Sequence, residues 1–240
     1  IKEKDLEFTE LDQRMQTDAD LVYLKKYVLM DKTGKHAVPD VISSTLNRPA
    51  VLAANVYSSL NSVKQQVIVE SNNQRIDTHK IESIVEAVTS MANARLRKLK
   101  YPLLNPFADI QFCMRGRTGR RVLTRMEYDP MERKEILMPD IVGWDGRYIR
   151  YSIGNNGLDW ASLTTPRAKD EIEAEYGVLI KGMTGLVRDV WDTEHNEVWV
   201  DERIVREQEH DYGYTPVVLS IVSLGYGDSL LDTNRLKREG

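Results

Sequence analysis

The sequence holds a single cysteine, Cys113, in 240 residues. That excludes an internal disulfide framework and a cysteine-rich zinc site, and it suits a reducing compartment or assembly inside a cell. Excess positive charge is missing as well. The 33 lysines and arginines stand against 37 aspartates and glutamates, a net charge of −4, so no global attraction draws the chain to nucleic acid or an anionic membrane, and any such contact must be local. No apolar run of about 18 residues appears and no signal-peptide pattern opens the chain, so a soluble protein without membrane contact is expected. Internal repeats, low-complexity segments and a flexible linker are absent too. The chain starts at Ile1 rather than methionine and stops at Arg238-Glu239-Gly240 without a closing element, which predicts a fragment of a longer protein.

The length suffices for one large domain or two small ones with real cores, and two lobes are expected: a helix-rich region over 1–104 and a β-rich region over 105–240. The fold class predicted is α+β, with helices concentrated before about residue 115 and mainly antiparallel strands after it. Asp18 is placed to cap a helix carrying Leu21, Leu24 and Val28, ended by Asp31-Lys32-Thr33-Gly34. Pro49 opens a second helix with Leu52, Val56, Leu60 and Val63 on one face. A short strand is expected over Gln66–Glu70. Asp77 or Thr78 caps the strongest helix, whose stripe is Ile81, Ile84, Val85, Val88, Met91 and Leu96. Its basic end, Arg95, Arg97 and Lys98, complements the helix dipole, and Pro102 stops it. Phe107, Ile110 and Met114 mark one more short helix.

The β-rich part is organised around Leu186–Val222. Leu186–Trp191 and Glu197–Val200 flank the polar segment Asp192–Asn196 as a hairpin does. Val217–Val222, opened by Pro216, reads as a third strand of the same antiparallel meander, covered on both faces. On the paired strands Trp191 and Trp199 are expected to be neighbours and largely buried. Further upstream, Val122–Tyr128 is strand-like. Asp145-Gly146 and Asn156-Gly157 are hairpin-turn signals around an alternating run that puts Ile149, Tyr151 and Ile153 on one face. Leu158 and Trp160 share a face of the returning strand. Thr165 with Pro166 starts a short acidic helix containing Ala168, Ile172 and Tyr176, which Gly177 ends.

For chemistry, the densest feature is Arg115-Gly116-Arg117-Thr118-Gly119-Arg120-Arg121, which breaks the preceding helix. Glycines let backbone amides turn toward an anion, so Arg115, Arg117, Arg120, Arg121 and Arg125 are candidates for phosphate or subunit contacts. The spacing is neither a P-loop nor a dinucleotide fingerprint. The plainer alternative is a turn whose arginines pair with acids on this chain or a neighbouring copy. Asp192, Glu194, His195 and Glu197 include enough ligand types for a divalent metal, but they fall at a hairpin tip, where solvation accounts for them; no metal or other cofactor is expected. Gly227-Asp228-Ser229-Leu230 spells the nucleophile block of GDSL esterases. The family's histidine lies far downstream of its serine, whereas here only a short tail follows Ser229 and His210 is upstream; Asp228 or Ser229 then reads as a helix cap. His36, His79 and His210 read as polar surface or turn residues.

Taken in order, the second half resembles the portal proteins of tailed bacteriophages. The cues are Ala108–Arg121 with its glycine-and-arginine break, Pro139-Asp140-Ile141, Trp144-Asp145, Tyr148–Tyr151, Gly157-Leu158-Asp159-Trp160, Asp189-Val190-Trp191-Asp192, His210-Asp211-Tyr212-Gly213 and Pro216-Val217-Val218. Their order and spacing over roughly Ile81 to Asp232 carry the resemblance. It implies the outer, wing-like part of a structural subunit without catalysis of its own, in a homo-oligomeric ring of about a dozen copies at one capsid vertex of the virion, assembled in the host cytoplasm. Such a ring forms the channel for packaging and ejecting double-stranded DNA. The implied partners are further copies of the chain, the major capsid protein, the terminase motor and neck or tail adaptor proteins. The stem and motor-facing clip of the family have no counterpart before Gly240. Two alternatives from other classes are a GDSL-type esterase fragment using Ser229 and a nucleic-acid-binding module using Arg115–Arg125.

Overall fold

A computed structural model describes residues 2–25, 32–33, 38, 46–63, 66–73, 75–129, 133–155, 157–221, 223–224 and 228–229. The fold is α+β, helices first and antiparallel strands after. Helices α1 (Lys2–Glu7), α2 (Thr9–Val22), α3 (Arg48–Ser62), α4 (Thr78–Lys98) and α5 (Leu104–Arg115) precede strands β1 (Arg117–Asp129) and β2 (Lys134–Asp145). A 3-10 turn, Gly146–Tyr148, leads to β3 (Ile149–Gly154), β4 (Gly157–Ala168), α6 (Lys169–Tyr176), β5 (Thr184–Trp191), β6 (His195–Val200), β7 (Arg203–Glu209) and β8 (Val217–Ile221). The strands form a three-stranded sheet in the order β2-β1-β8 and a five-stranded meander in the order β3-β4-β5-β6-β7. Among the described residues no helix is long and apolar enough to cross a membrane.

Helix ends follow local chemistry where a capping group exists. Asp77 accepts a hydrogen bond from the Lys80 amide and starts α4, and Pro49 occupies the first turn of α3, where its missing donor costs nothing. Gly116 and Gly177, both with positive φ, end α5 and α6 in the left-handed conformation that glycine adopts without a Cβ penalty.

Among the described residues three clusters make the core. Trp144, Ile149, Tyr151, Ala161, Trp191 and Val217 close around Phe8, so the junction between α1 and α2 is packed against both sheets. Ile172 of α6 covers Val187, Val198 and Val200 on the meander. Ala92 and Leu96 of α4 pack with Leu104 and Ile141. Contacts therefore run across residue 104 in two of the three clusters.

Several expectations change. Asp18 lies inside α2 rather than capping a helix, because the charged opening residues already form α1 and α2 around Phe8; Val28 and His36 lie outside the described residues. Gln66–Glu70 is not a strand: it has no ladder partner among the described residues, and the Val69 amide donates to Glu82. Asp145-Gly146 is a corner between sheets, not a hairpin turn, since β2 pairs with β1 and β3 with β4. Gly157 pairs with Gly154 and so belongs to a strand rather than to the turn, and Asn156 lies outside the described residues. Of the three residues read onto one face, Ile149 and Tyr151 are buried, whereas Ile153 is exposed, beyond the irregularity between Ser152 and Ile153 that shifts the register. Strand β4 runs through Thr165 and Pro166 to Ala168, so α6 starts later than its proline suggests.

The hairpin of β5 and β6 forms as read, but the strand that continues its meander is β7, and Val217–Ile221 crosses to pair with β1. There it is an edge strand with Val218 exposed, not a strand covered on both faces. Register also separates the tryptophans: Trp191 faces Asn196 and Trp199 faces Arg188. Trp191 is buried in the core cluster, while Trp199 is half-buried on the opposite face, its indole N–H donating to Glu197. Asp228 and Ser229 pair with Ser223–Leu224 as a two-residue strand, and the helix read after them through Leu230, Leu231 and Leu236 lies outside the described residues. His210 is half-buried in a stack between Trp191 and Tyr212, at 5.4 and 4.8 Å between ring centres, rather than a surface residue.

Candidate functional site: the arginines of β1

The glycine-and-arginine run is a strand. Only Gly116 turns the chain; β1 begins at Arg117, and Gly119 faces Ile149, Trp144 and Leu219, where a Cβ would stand 2.7 Å from the Ile149 side chain. Alternation along β1 then sends its arginines to different places. Arg117 is 3% exposed, donates from Nε to the Gly146 carbonyl at 2.6 Å, and lies 5.1 Å from the centre of the Phe8 ring. Burial pushes its pKa down to about 10. Arg120 points toward α5, and burial lowers its pKa as well. Arg115 pairs with Asp145 at 2.8 Å.

Arg121 joins the two sheets. Its guanidinium bonds Asp189 of β5 at 2.9 Å, lies 3.7 Å from Asp140 of β2, and sits over the Trp191 ring at 5.8 Å. Asp140 also takes Arg95 of α4 at 2.5 Å. The basic end of α4 is thus anchored by an ion pair and does not serve the helix dipole alone. This network floors a cleft of about 600 Å³ between the sheets and α6, whose other wall carries Arg167, Glu171, Glu175 and Tyr176. Arg167 reaches Glu175 at 2.6 Å, and burial together with Glu175 pushes the Tyr176 hydroxyl up to about 12. Four arginines against four carboxylates make the cleft nearly neutral, so it offers no strong field for an anion.

Arg125 alone of the five points into solvent, paired with Glu127 at 2.9 Å on the part of β1 that extends past β8. That stretch pairs with β2 only and exposes Met126, Tyr128 and Leu137, a two-stranded arm with little cover. The pairing of arginines with acids on this chain was thus within reach of the sequence. The sheet-bridging role of Asp140 and Asp189 was not, because the two lie far apart in sequence and meet only through Arg121.

At the hairpin tip Asp192 uses its carboxylate locally, accepting from the amides of Glu194 and His195, which closes the turn. Among the described residues no group of three His, Cys, Asp or Glu side chains is placed to hold a metal ion. His79 is exposed and lies 3.2 Å from Glu82. Glu82 is held below the usual glutamate pKa chiefly by the hydrogen bond from Val69. No family model matches the chain, and no curated protein matches it in sequence.

Proposed function

We propose that the chain is a structural subunit of a tailed-phage portal ring, contributing the outer part of the subunit around the channel for DNA packaging and ejection and at the head-tail connection. One observation carries the need for partners: apolar residues set at helical spacing on α3 and α4 lie on the surface. Leu52 is 66% exposed and Ile84 54%, and Val56, Leu60, Val63, Ile81, Val85 and Met91 accompany them. The first three turns of α4 carry this stripe beyond the stretch where Ala92 and Leu96 dock on the body. Stripes of this kind mark contact surfaces, and the β1–β2 arm adds a third. The identity of the assembly rests on the ordered cues from Ala108 to Val218, and an α+β chain with helices first agrees with it.

In a ring, each copy presents one surface to the next copy and a different one to the previous copy. Two separate apolar helices on one chain suit that geometry. Arg125 and the arm are the part of the arginine cluster free to take part in it, while Arg115, Arg117 and Arg121 serve the subunit's own fold. The test is particle mass and symmetry by native mass spectrometry and electron microscopy of the parent beside Ile84→Asp. Rings of about a dozen copies from the parent and monomers from the variant are expected. A parent that stays monomeric at high concentration, or a variant forming identical rings, counts against the proposal.

A further inference from the structure

Among the described residues, the edges of the two larger sheets are protected in different ways, with one exception. An exposed edge strand offers a row of free amides and carbonyls to any other strand, and proteins blunt such edges with charge, proline or a covering element. Edge strand β7 carries Arg203, Arg206, Glu207 and Glu209. Edge strand β2 carries Lys134, Glu135, Pro139 and Asp140. Edge strand β3 is held under α1 and α2 by the bonds from Arg150 to Asp5 and Asp12. Edge strand β8, Val-Val-Leu-Ser-Ile, has no charge and no proline within it.

Hydrogen bonding shows which groups β8 offers. The Pro216 carbonyl accepts from the Val122 amide, and in an antiparallel ladder the pattern alternates residue by residue. The carbonyls of Val217 and Leu219 and the amides of Leu219 and Ile221 therefore point away from β1. They face an open groove of about 640 Å³ between β8 and the end of the β3–β4 hairpin. Its walls are apolar, with Ile153 65% exposed, Val218 54% and Tyr214 61%. Thr215 fixes its floor by donating to the Leu158 carbonyl at 2.9 Å. Among the described residues of the lining the one charged side chain is Asp159, which is exposed.

We propose that this groove takes an extended segment of a different protein, which adds as a strand to the free edge of β8, buries alternate apolar side chains against Ile153, Val218 and Tyr214, and places one lysine or arginine against Asp159. Strand addition draws affinity from main-chain bonds and specificity from the alternate side chains. Charge decides the occupant: a second copy meeting edge to edge would bring Val217–Ile221, which contains no basic residue, and would leave Asp159 unmatched. The proposal does not depend on ring assembly, because the groove lies apart from α3, α4 and the β1–β2 arm.

The test uses the whole chain and a blocked heptapeptide of alternating valine and threonine with a central lysine, followed by amide chemical shifts. Saturable shifts at Leu219 and Ile221 below about 5 mM are expected, the range of a weak peptide contact. Replacing the peptide's lysine by glutamate, or Asp159 by asparagine, should weaken binding at least about fivefold, about 1 kcal/mol. Methylating the peptide amides that face β8 should abolish binding. Val218→Lys, at an exposed position, should abolish it with the protein still folded. Absence of saturable shifts at Leu219 and Ile221, or indifference to amide methylation, overturns the proposal. A concentration-dependent dimer without peptide that Val218→Lys disperses would show a second copy in the groove, and would overturn it equally.

Discussion

The meander and the helices α3 and α4 are built from equally regular apolar patterns, yet they end in opposite states. On β5 and β6 the inward-facing Val187, Val198 and Val200 are buried under α6, which the chain forms just before β5. On α3, and on α4 as far as Met91, most of the patterned residues stay outside, while Leu96 near the end of α4 is buried. Periodicity tells which face of an element is apolar. What covers that face depends on topology, and a strand whose neighbours come next in sequence has its cover supplied at once, whereas these helices must find theirs elsewhere.

The comparison is broken most severely at Trp144, 1% exposed where the sheets and Phe8 converge. Trp144→Ala should cost about 3–5 kcal/mol of stability, measured by urea unfolding. An effect near that of a surface substitution would mean the core lies elsewhere. Trp191→Ala should cost a similar amount and Trp199→Ala clearly less, because Trp199 lies on the half-buried face. Equal losses would contradict the register that separates the two rings.

Next comes the bridge between the sheets. Arg121→Met leaves Asp189 and Asp140 short of a partner at part-buried sites and should cost about 1–3 kcal/mol, the usual penalty for an abandoned polar partner. The double change with Asp189→Leu should recover part of that loss. A fully additive double mutant would show that the bridge carries no coupling. Removing the cap of α4 by Asp77→Ala should cost about 1 kcal/mol, read as lost helicity in the overhanging turns. Ile84→Asp on the same helix should change monomer stability by less than about 0.5 kcal/mol while removing assembly.

The smallest effect is a titration. The Tyr176 hydroxyl has its folded value raised from 10.0 to about 12, so the fold favours its protonated form. The matching stability is fully present below pH 10 and is lost as pH rises through about 12. A difference titration at 295 nm between parent and Tyr176→Phe should show one tyrosine ionising late. One that ionises with the bulk would mean the α6 cleft is more open than the contacts of Arg167 and Glu175 indicate.

The sequence discloses elements whose signals are local. Asp77, Pro49 and Gly177 mark helix ends because capping and left-handed turns are decided within a few residues, and the β5–β6 hairpin shows itself by alternation. The α+β order follows from the same signals. What stayed hidden depended on distant partners. Arg117 reads as a loop residue until Phe8 and the Gly146 carbonyl, far from it in sequence, make its burial tolerable. Strand β7 is concealed because an edge strand is allowed to be charged. The crossing of β8 to β1 leaves no mark in sequence, since Pro216 suits the start of an edge strand in either sheet.

The bond from Arg188 to Asp5 spans 183 positions of sequence, and this sets an order of events during synthesis. At about 5–20 residues per second, a ribosome needs roughly ten to forty seconds to travel from one partner to the other. For most of that interval α1 and α2 have neither Arg150 to hold Asp5 and Asp12 nor the aromatic socket that Tyr151 and Trp144 build for Phe8, and Arg188 arrives last. The nascent chain thus exposes a greasy plug early and its receptacle late, so a chaperone that holds the first two helices during elongation would act where this protein is most exposed to misassociation.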